Sequence, residues 1–177
     1  KQTGVTTILV THDQEEALSM ADRIVVMNQG VIDQIGTPNE VYRDPRTPFV
    51  ADFVGKTNLL PATCAGANRV QVGEQRFECE LAAGTAKDAG LRVFFRPEDV
   101  IVRGVGGATP NSAAAGVEKI EFLGSFSRLS FRMNGITQLL VADLSLNDMA
   151  EFHLKPGDTV RVAVPADRMR VFAGAAP

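Results

Sequence analysis

At Lys56 to Pro61 the sequence changes character, and that change limits the fold more than any other feature. Before it, short apolar runs alternate with helical signals, the pattern of an α/β protein. After it come short alternating runs bounded by Gly, Asn or Pro, the pattern of a barrel or sandwich. The chain has 177 residues, enough for one large domain or two small ones. The change of pattern predicts two, residues 1–57 and 58–177. Strands are expected near Leu59–Ala65, Arg69–Val72, Gln75–Glu80, Leu91–Phe95, Val100–Arg103, Val117–Leu123, Ser125–Met133, Thr137–Ala142, Thr159–Val164 and Arg170–Phe172. They divide into two barrel-like halves, about 59–103 and 117–173, joined by an uncharged, flexible loop over Gly104–Gly116.

The first region is organised around Thr6–Gly36. Thr7-Ile8-Leu9-Val10 is short, β-branched and continuously apolar, as a strand buried on both faces of a parallel sheet would be. His12 follows its carboxyl end, where open α/β sheets bind ligands. A helix starts next. Thr11 with Gln14, and Asp13 with Glu16, both have capping-box spacing. Asp13, Glu15 and Glu16 place negative charge where the helix dipole favours it. Arg23–Met27 is a second, mostly apolar run, Asn28-Gln29-Gly30 a turn, and Val31–Ile35 a returning strand. Thr37-Pro38-Asn39-Glu40 opens a short helix that Asp44-Pro45 ends. Thr47-Pro48 opens another, with Phe49, Val50, Phe53 and Val54 on one face and Gly55 as a left-handed terminator. Lys1–Gly4 reads as the end of a helix. The chain starts without a methionine, and a fragment is expected.

Composition narrows the function classes. A net charge of −3, no Trp and a single Tyr argue against an oligonucleotide groove, which needs basic and stacking side chains. Phe122, Phe126 and Phe131 read as core. No apolar run approaches the roughly 20 residues that span a bilayer. Cys64 and Cys79 are too few for a disulfide framework or a zinc site and are expected as free thiols. His12, Asp13, Glu15 and Glu16 lack metal-site spacing, and capping explains the acids. His153 is expected at the surface. Arg128, Arg132, Arg161, Arg168 and Arg170 read as a solvated face, from which an anion pocket or subunit contact could draw. Gly55-Lys56-Thr57 is not a phosphate loop. Val50 stands where the earlier glycine belongs, and a helix precedes where a strand is required.

The segment VTHDQEEALSMADRIVVMNQG resembles the switch-histidine segment of ATP-binding-cassette (ABC) transporter ATPases. The resemblance continues through GTPNEVYRDPRTPFVADFVGKTN and FRPEDV, and that combination is similar to importer ATPases with a C-terminal regulatory extension. It implies an α+β chain overall. Residues 1–57 would be the truncated α/β tail of the ATPase domain, and residues 58–177 an all-β pair of small oligonucleotide-binding-type (TOBE) barrels. His12 would contact the γ-phosphate of ATP, and only in the parent protein, with Mg²⁺ and the remaining catalytic groups supplied upstream. The fragment itself would hold no cofactor and no metal. Arg96, Pro97 and Glu98 would be structural or regulatory residues of the β region: Pro97 fixes a turn, and Glu98 pairs with Arg96 or another arginine.

The resemblance further implies a homodimer, membrane permease subunits as partners, no nucleic acid, and a place at the inner face of the plasma membrane through the permease. FVADFVGKTNLLPA looks most like the 2-aminoethylphosphonate importer branch; the iron, polyamine and sulfate branches share most of these residues. The alternative is a stand-alone module that senses a small anion or metabolite in its β region. The Thr7–Val10 strand would lack neighbours in this chain. A dimer or larger assembly is therefore expected, or else poor order up to about Ile35.

Overall fold

The computed structural model describes residues 4–174. The helix end expected at Lys1–Gly4 lies, but for Gly4, outside them. The chain divides into two compact units, Lys1–Gly55 and Lys56–Pro177. The architecture is mixed, with short helices first and mostly strands after, as the sequence implies.

The first unit holds helix α1 (Gln14–Met20), strands β1 (Ile24–Asn28) and β2 (Val31–Gly36), and helices α2 (Pro38–Arg43) and α3 (Pro48–Phe53). Helix α1 starts at Asp13, whose carboxylate accepts from the Glu16 N–H at 3.0 Å. Of the two capping spacings, the Asp13–Glu16 one provides the cap, and Thr11 Oγ1 accepts from the Asp13 N–H instead. Gln29 and Gly30 both have positive φ, 49° and 82°, which suits a two-residue hairpin turn. Thr37 and Glu40 close a reciprocal capping box on α2, with Pro38 in the first turn.

Buried Val26 on β1 meets Val41, Val50 and Val54 in a small core, with Leu18, Ile24, Tyr42 and Phe49 around it. Gln34 is tolerated as a buried residue of β2 because both ends of its amide are hydrogen-bonded. Nε2 donates to Asp44 O at 3.1 Å, and Oε1 accepts from Arg46 N at 2.8 Å. With the Thr47 Oγ1–Asp33 Oδ2 bond at 3.0 Å, this pins the Asp44-Pro45-Arg46 corner to the hairpin.

The strand expected at Thr7–Val10 is not formed. Those residues carry no secondary structure, and Ile8 and Val10 are 88% and 93% exposed. A two-sided strand needs neighbours, and β1 and β2 pair only with each other. The outer hairpin face, Val25 opposite Ile35 and Met27 opposite Ile32, is likewise apolar and exposed.

The second unit contains two antiparallel sheets. One is ordered β11-β6-β3-β4-β5, from β3 (Asn58–Gly66), β4 (Arg69–Val72), β5 (Gln75–Glu78), β6 (Gly90–Phe95) and β11 (Arg170–Ala173). The other is ordered β10-β7-β8-β9, from β7 (Ser112–Phe122), β8 (Phe126–Arg132), β9 (Leu140–Ser145) and β10 (Thr159–Ala163). The two expected halves are interleaved, since the last strand returns to pair with β6. The loop expected over Gly104–Gly116 is shorter, because Ser112–Gly116 pairs with β10. Val100–Arg103 contributes one bridge, Ile101 to Ala163, in place of a strand. Helix α4 (Leu146–Phe152) was not anticipated. Its signal is Ser145 three residues before Asp148, and Ser145 Oγ accepts from the Asp148 N–H at 3.1 Å.

Alternate residues of β3 point inward, Leu60, Ala62 and Cys64 among them, and meet Leu129, Phe131 and Leu140 of the other sheet in one core. Pro61 is tolerated in β3 because β4 pairs only from Thr63 onward.

Each sheet has an edge strand sealed by an asparagine from a strand start of the other sheet. Asn58, first residue of β3, donates Nδ2 to Val141 O at 2.8 Å and accepts from Val141 N at 2.7 Å on edge strand β9. Asn111, just before β7, makes the same two bonds to Glu78 on edge strand β5, at 2.8 and 2.7 Å. Gly73 and Gly135 let two turns touch backbone to backbone. A Cβ on Gly73 would lie 2.6 Å from Asn134 O.

Candidate functional site

His12 lies in the turn just before the Asp13 cap of α1, and its imidazole is exposed. The segment that would set it beyond a sheet edge, Thr7–Val10, is unpaired and exposed. Gly55-Lys56-Thr57 follows helix α3 and leads into β3, which is not the strand–loop–helix geometry that wraps phosphates. Gly55-Lys56-Thr57 therefore does not form a phosphate-binding loop. No group of three His, Cys, Asp or Glu side chains among the described residues is placed to hold a metal.

An open cleft of about 600 Å³ lies in the first unit between Arg23, Gln34, Thr37, Glu40, Asp44 and Arg46. The Thr37 backbone N–H and hydroxyl hold the Glu40 carboxyl below its ordinary pKa, and Arg23 and Arg46 act in the same direction. Glu40 is thus committed to the helix cap.

In the second unit, FRPEDV runs from the end of β6 into a single 3₁₀ turn, Pro97–Asp99. Pro97 is buried at its start and Glu98 is exposed. Arg96 is 1% exposed, an unusual place for a guanidinium. It lies over the Phe94 ring, 4.8 Å from the centroid, and donates Nη1 to Lys56 O at 3.0 Å.

The arginines of the β region separate. Arg128 makes two 2.7 Å bonds to Asp143, half-covered, and lies 5.4 Å from the Phe126 centroid. Arg132 pairs with Glu118 at 3.0 Å, and Arg168 lies 3.6 Å from Asp167. Arg170 donates to the Asp167 and Met169 carbonyls. Arg161 differs: Nη2 reaches Ser112 Oγ at 3.0 Å, while Nε is buried with no hydrogen-bond partner among the described residues. Sequence reasoning grouped these five together; only register and burial separate Arg161.

His153 is exposed, at the left-handed end of α4. Phe131 is fully buried, but Phe122, expected in the core, is 72% exposed because β7 runs past the core's edge at its hairpin tip. Cys64 and Cys79 are free and buried. Burial, followed by the neighbouring Cys64, raises the Cys79 thiol to about 11.

Residues 93–172 match the TOBE domain family. Along 99% of its length the chain is 44% identical to "Fe(3+) ions import ATP-binding protein FbpC 2" of Rhizobium meliloti, covering 47% of that protein. It is 45% identical, again over 99% of its length, to "Sulfate/thiosulfate import ATP-binding protein CysA 2" of Chromobacterium violaceum, covering 48%. Over 56% of its length it is 49% identical to "Spermidine/putrescine import ATP-binding protein PotA" of Borreliella afzelii, covering 28%. The chain spans about half the length of the first two relatives or less. Among solved structures, the cytoplasmic molybdate-binding protein ModG shares the fold, with a TM-score of 0.55 at 15% identity, over 66% of this chain and 96% of that one. Residues 93–172 are thus similar to the TOBE domain, and the relatives the chain resembles are named as import ATP-binding proteins.

Proposed function

We propose that this chain is the C-terminal part of the ATP-hydrolysing subunit of an ABC importer. In this reading residues 1–57 are the end of the nucleotide-binding domain and residues 58–177 are the regulatory and dimerising module. The observation that carries it is the 44–45% identity to two import ATP-binding proteins along 99% of the chain, with the His12 segment inside the alignment. The exposed apolar face of the β1–β2 hairpin and the unpaired Thr7–Val10 run support it, since both suit a larger sheet. In the parent protein ATP and Mg²⁺ supply the chemistry of phosphoryl transfer. His12 would contact the γ-phosphate there, and Arg96, Pro97 and Glu98 would hold the regulatory module in shape. The parent works as a homodimer on membrane permease subunits at the cytoplasmic face. For the solute, FVADFVGKTNLLPA favours a phosphonate such as 2-aminoethylphosphonate over the iron, sulfate and polyamine named for the relatives.

The test uses the intact transporter. His12→Ala should leave ATP binding nearly unchanged and lower hydrolysis on the order of 10²-fold, as loss of a transition-state contact does. Turnover within a factor of two of the parent would contradict the role. The isolated 177-residue chain should take up no Mg²⁺–ATP in calorimetry.

One observation favours a second reading, a small-anion sensor in the β region: the buried, unpartnered Arg161 Nε beside Ser112 Oγ. Calorimetry of this chain with sulfate, molybdate and 2-aminoethylphosphonate, repeated on Arg161→Lys, decides it. Binding that the variant loses supports the sensor, and no heat with any of the three removes it.

A further inference from the structure

The two units are joined by one strand of chain, and each grips that strand close to the junction. On the first unit's side, Val54 N donates to Val50 O at 3.0 Å and closes α3. The next amide, Gly55 N–H, donates to Gln14 Oε1 at 2.6 Å, from the first turn of α1. On the second unit's side, Lys56 O accepts from Arg96 Nη1 at 3.0 Å. Two residues later the Asn58 side chain holds both backbone groups of Val141, and Asn58 itself enters the sheet opposite Phe95.

Arg96 is an effective clamp because it has no freedom of its own. It is 1% exposed and stacked on Phe94, so little rotamer entropy remains to be lost when it holds a carbonyl. The Gln14 amide is aimed at the linker from a helix whose start Asp13 fixes. A peptide unit is planar, so each residue offers only two soft torsions. Between the last atom held by the first unit, Gly55 N, and the first held by the second, Lys56 O, the free torsions belong to Gly55 and Lys56 alone. Gly55 sits at φ 78°, a region that glycine enters without steric cost.

We infer that Gly55–Lys56 is a two-residue pivot, bounded by Gln14 and Arg96, through which any reorientation of one unit against the other must pass. The inference stands on the two clamps and does not depend on the importer reading. Arg96 and Gln14 are positioning residues in it: they set how short the free linker is.

The experiment measures the width of the distance distribution between spin labels, one on each unit of the 177-residue chain. Asn39→Cys and Lys87→Cys supply exposed labelling sites, while native Cys64 and Cys79, at 2% and 3% exposure, are shielded. Gln14→Ala frees only the ψ torsion of Val54, whose amide and side chain stay held by the first unit, and Arg96→Lys, which keeps the charge but loses the guanidinium fork, frees Thr57. The double variant thus raises the free torsions from about four to about seven, and the width should grow about 1.3-fold, following the square-root scaling of flexible linkers. Each single variant should give a smaller increase. A double variant no broader than the parent overturns the pivot, as does a parent already as broad as the double variant. If Arg96→Lys does not fold, Gln14→Ala decides alone: a broader distribution supports the pivot and an unchanged one contradicts it.

Discussion

The two units solve the problem of an unpaired edge in opposite ways. In the second, the edge strands β9 and β5 are closed by the Asn58 and Asn111 amides, and two dozen buried side chains from both sheets share one core. In the first, four buried valines and a few half-covered neighbours form the core. Of the fifteen large apolar side chains that stand exposed among the described residues, eleven lie before residue 56. Apolar surface in water is unfavourable at about 25 cal/mol per Å². The difference teaches that the second unit buries most of its apolar side chains in a shared core and closes one edge strand of each sheet from within, leaving Arg161 Nε as its buried polar exception. The first does neither: its apolar hairpin face and the Thr7–Val10 run stand open among the described residues.

The largest test of that contrast is a side-chain truncation in the core of the second unit. Phe131→Ala removes a fully buried ring from the β core and should cost about 3–5 kcal/mol in urea unfolding. A loss below about 1 kcal/mol would mean that the two sheets do not share a tightly packed core. Next in size is the edge seal. Asn58→Ala strips both partners from Val141, and unmade buried hydrogen bonds cost roughly 1–3 kcal/mol. The Val141 amide should then exchange much faster than its neighbours in β8. Unchanged protection at Val141 would show that the sheet edge needs no seal.

A smaller effect appears at alkaline pH. The Cys79 thiol is raised to about 11 by burial and by Cys64, from an ordinary 9.0. Because the folded value is the higher one, its stabilising share is complete below pH 9 and is lost as pH rises through about 11. The midpoint of urea unfolding should fall across that window, and Cys79→Ala should flatten the fall. The smallest effect belongs to the hairpin. Val25→Thr with Ile35→Thr alters exposed positions and should shift unfolding by less than about 0.5 kcal/mol. The same pair should lower self-association in light scattering, since the exposed patch is what a second chain would cover. A large loss of stability would mean that the outer face already has a partner within the chain.

The caps were legible in sequence because they are local. Thr37 with Glu40, Thr47 and the left-handed Gly55 each depend on residues a few positions apart. Most strands of the β region were legible from alternation for the same reason. The return of β11 to β6 was not, because pairing between residues 94 and 170 leaves no periodic trace. Asn58 falls in the boundary stretch and Asn111 in the expected loop, and only their hydrogen bonds show that each serves a distant edge. Thr7–Val10 shows the opposite failure: its pattern announces a two-sided strand, and a pattern cannot say whether the neighbours are present. At the candidate site, the expectation for His12 rests on resemblance, whereas the unpartnered Nε of Arg161 could be seen only once burial was known.

Hydrogen exchange along the whole chain, read beside its mass in solution, tests the contrast most directly. The account predicts that Leu129 and Phe131 exchange only on global unfolding of the β unit. Ile8 to Val10 should exchange at nearly unprotected rates in the monomer, gaining protection only when chains associate. A strict monomer with strongly protected amides at Ile8, Leu9 and Val10 would contradict it, because the first unit would then have completed its sheet from within.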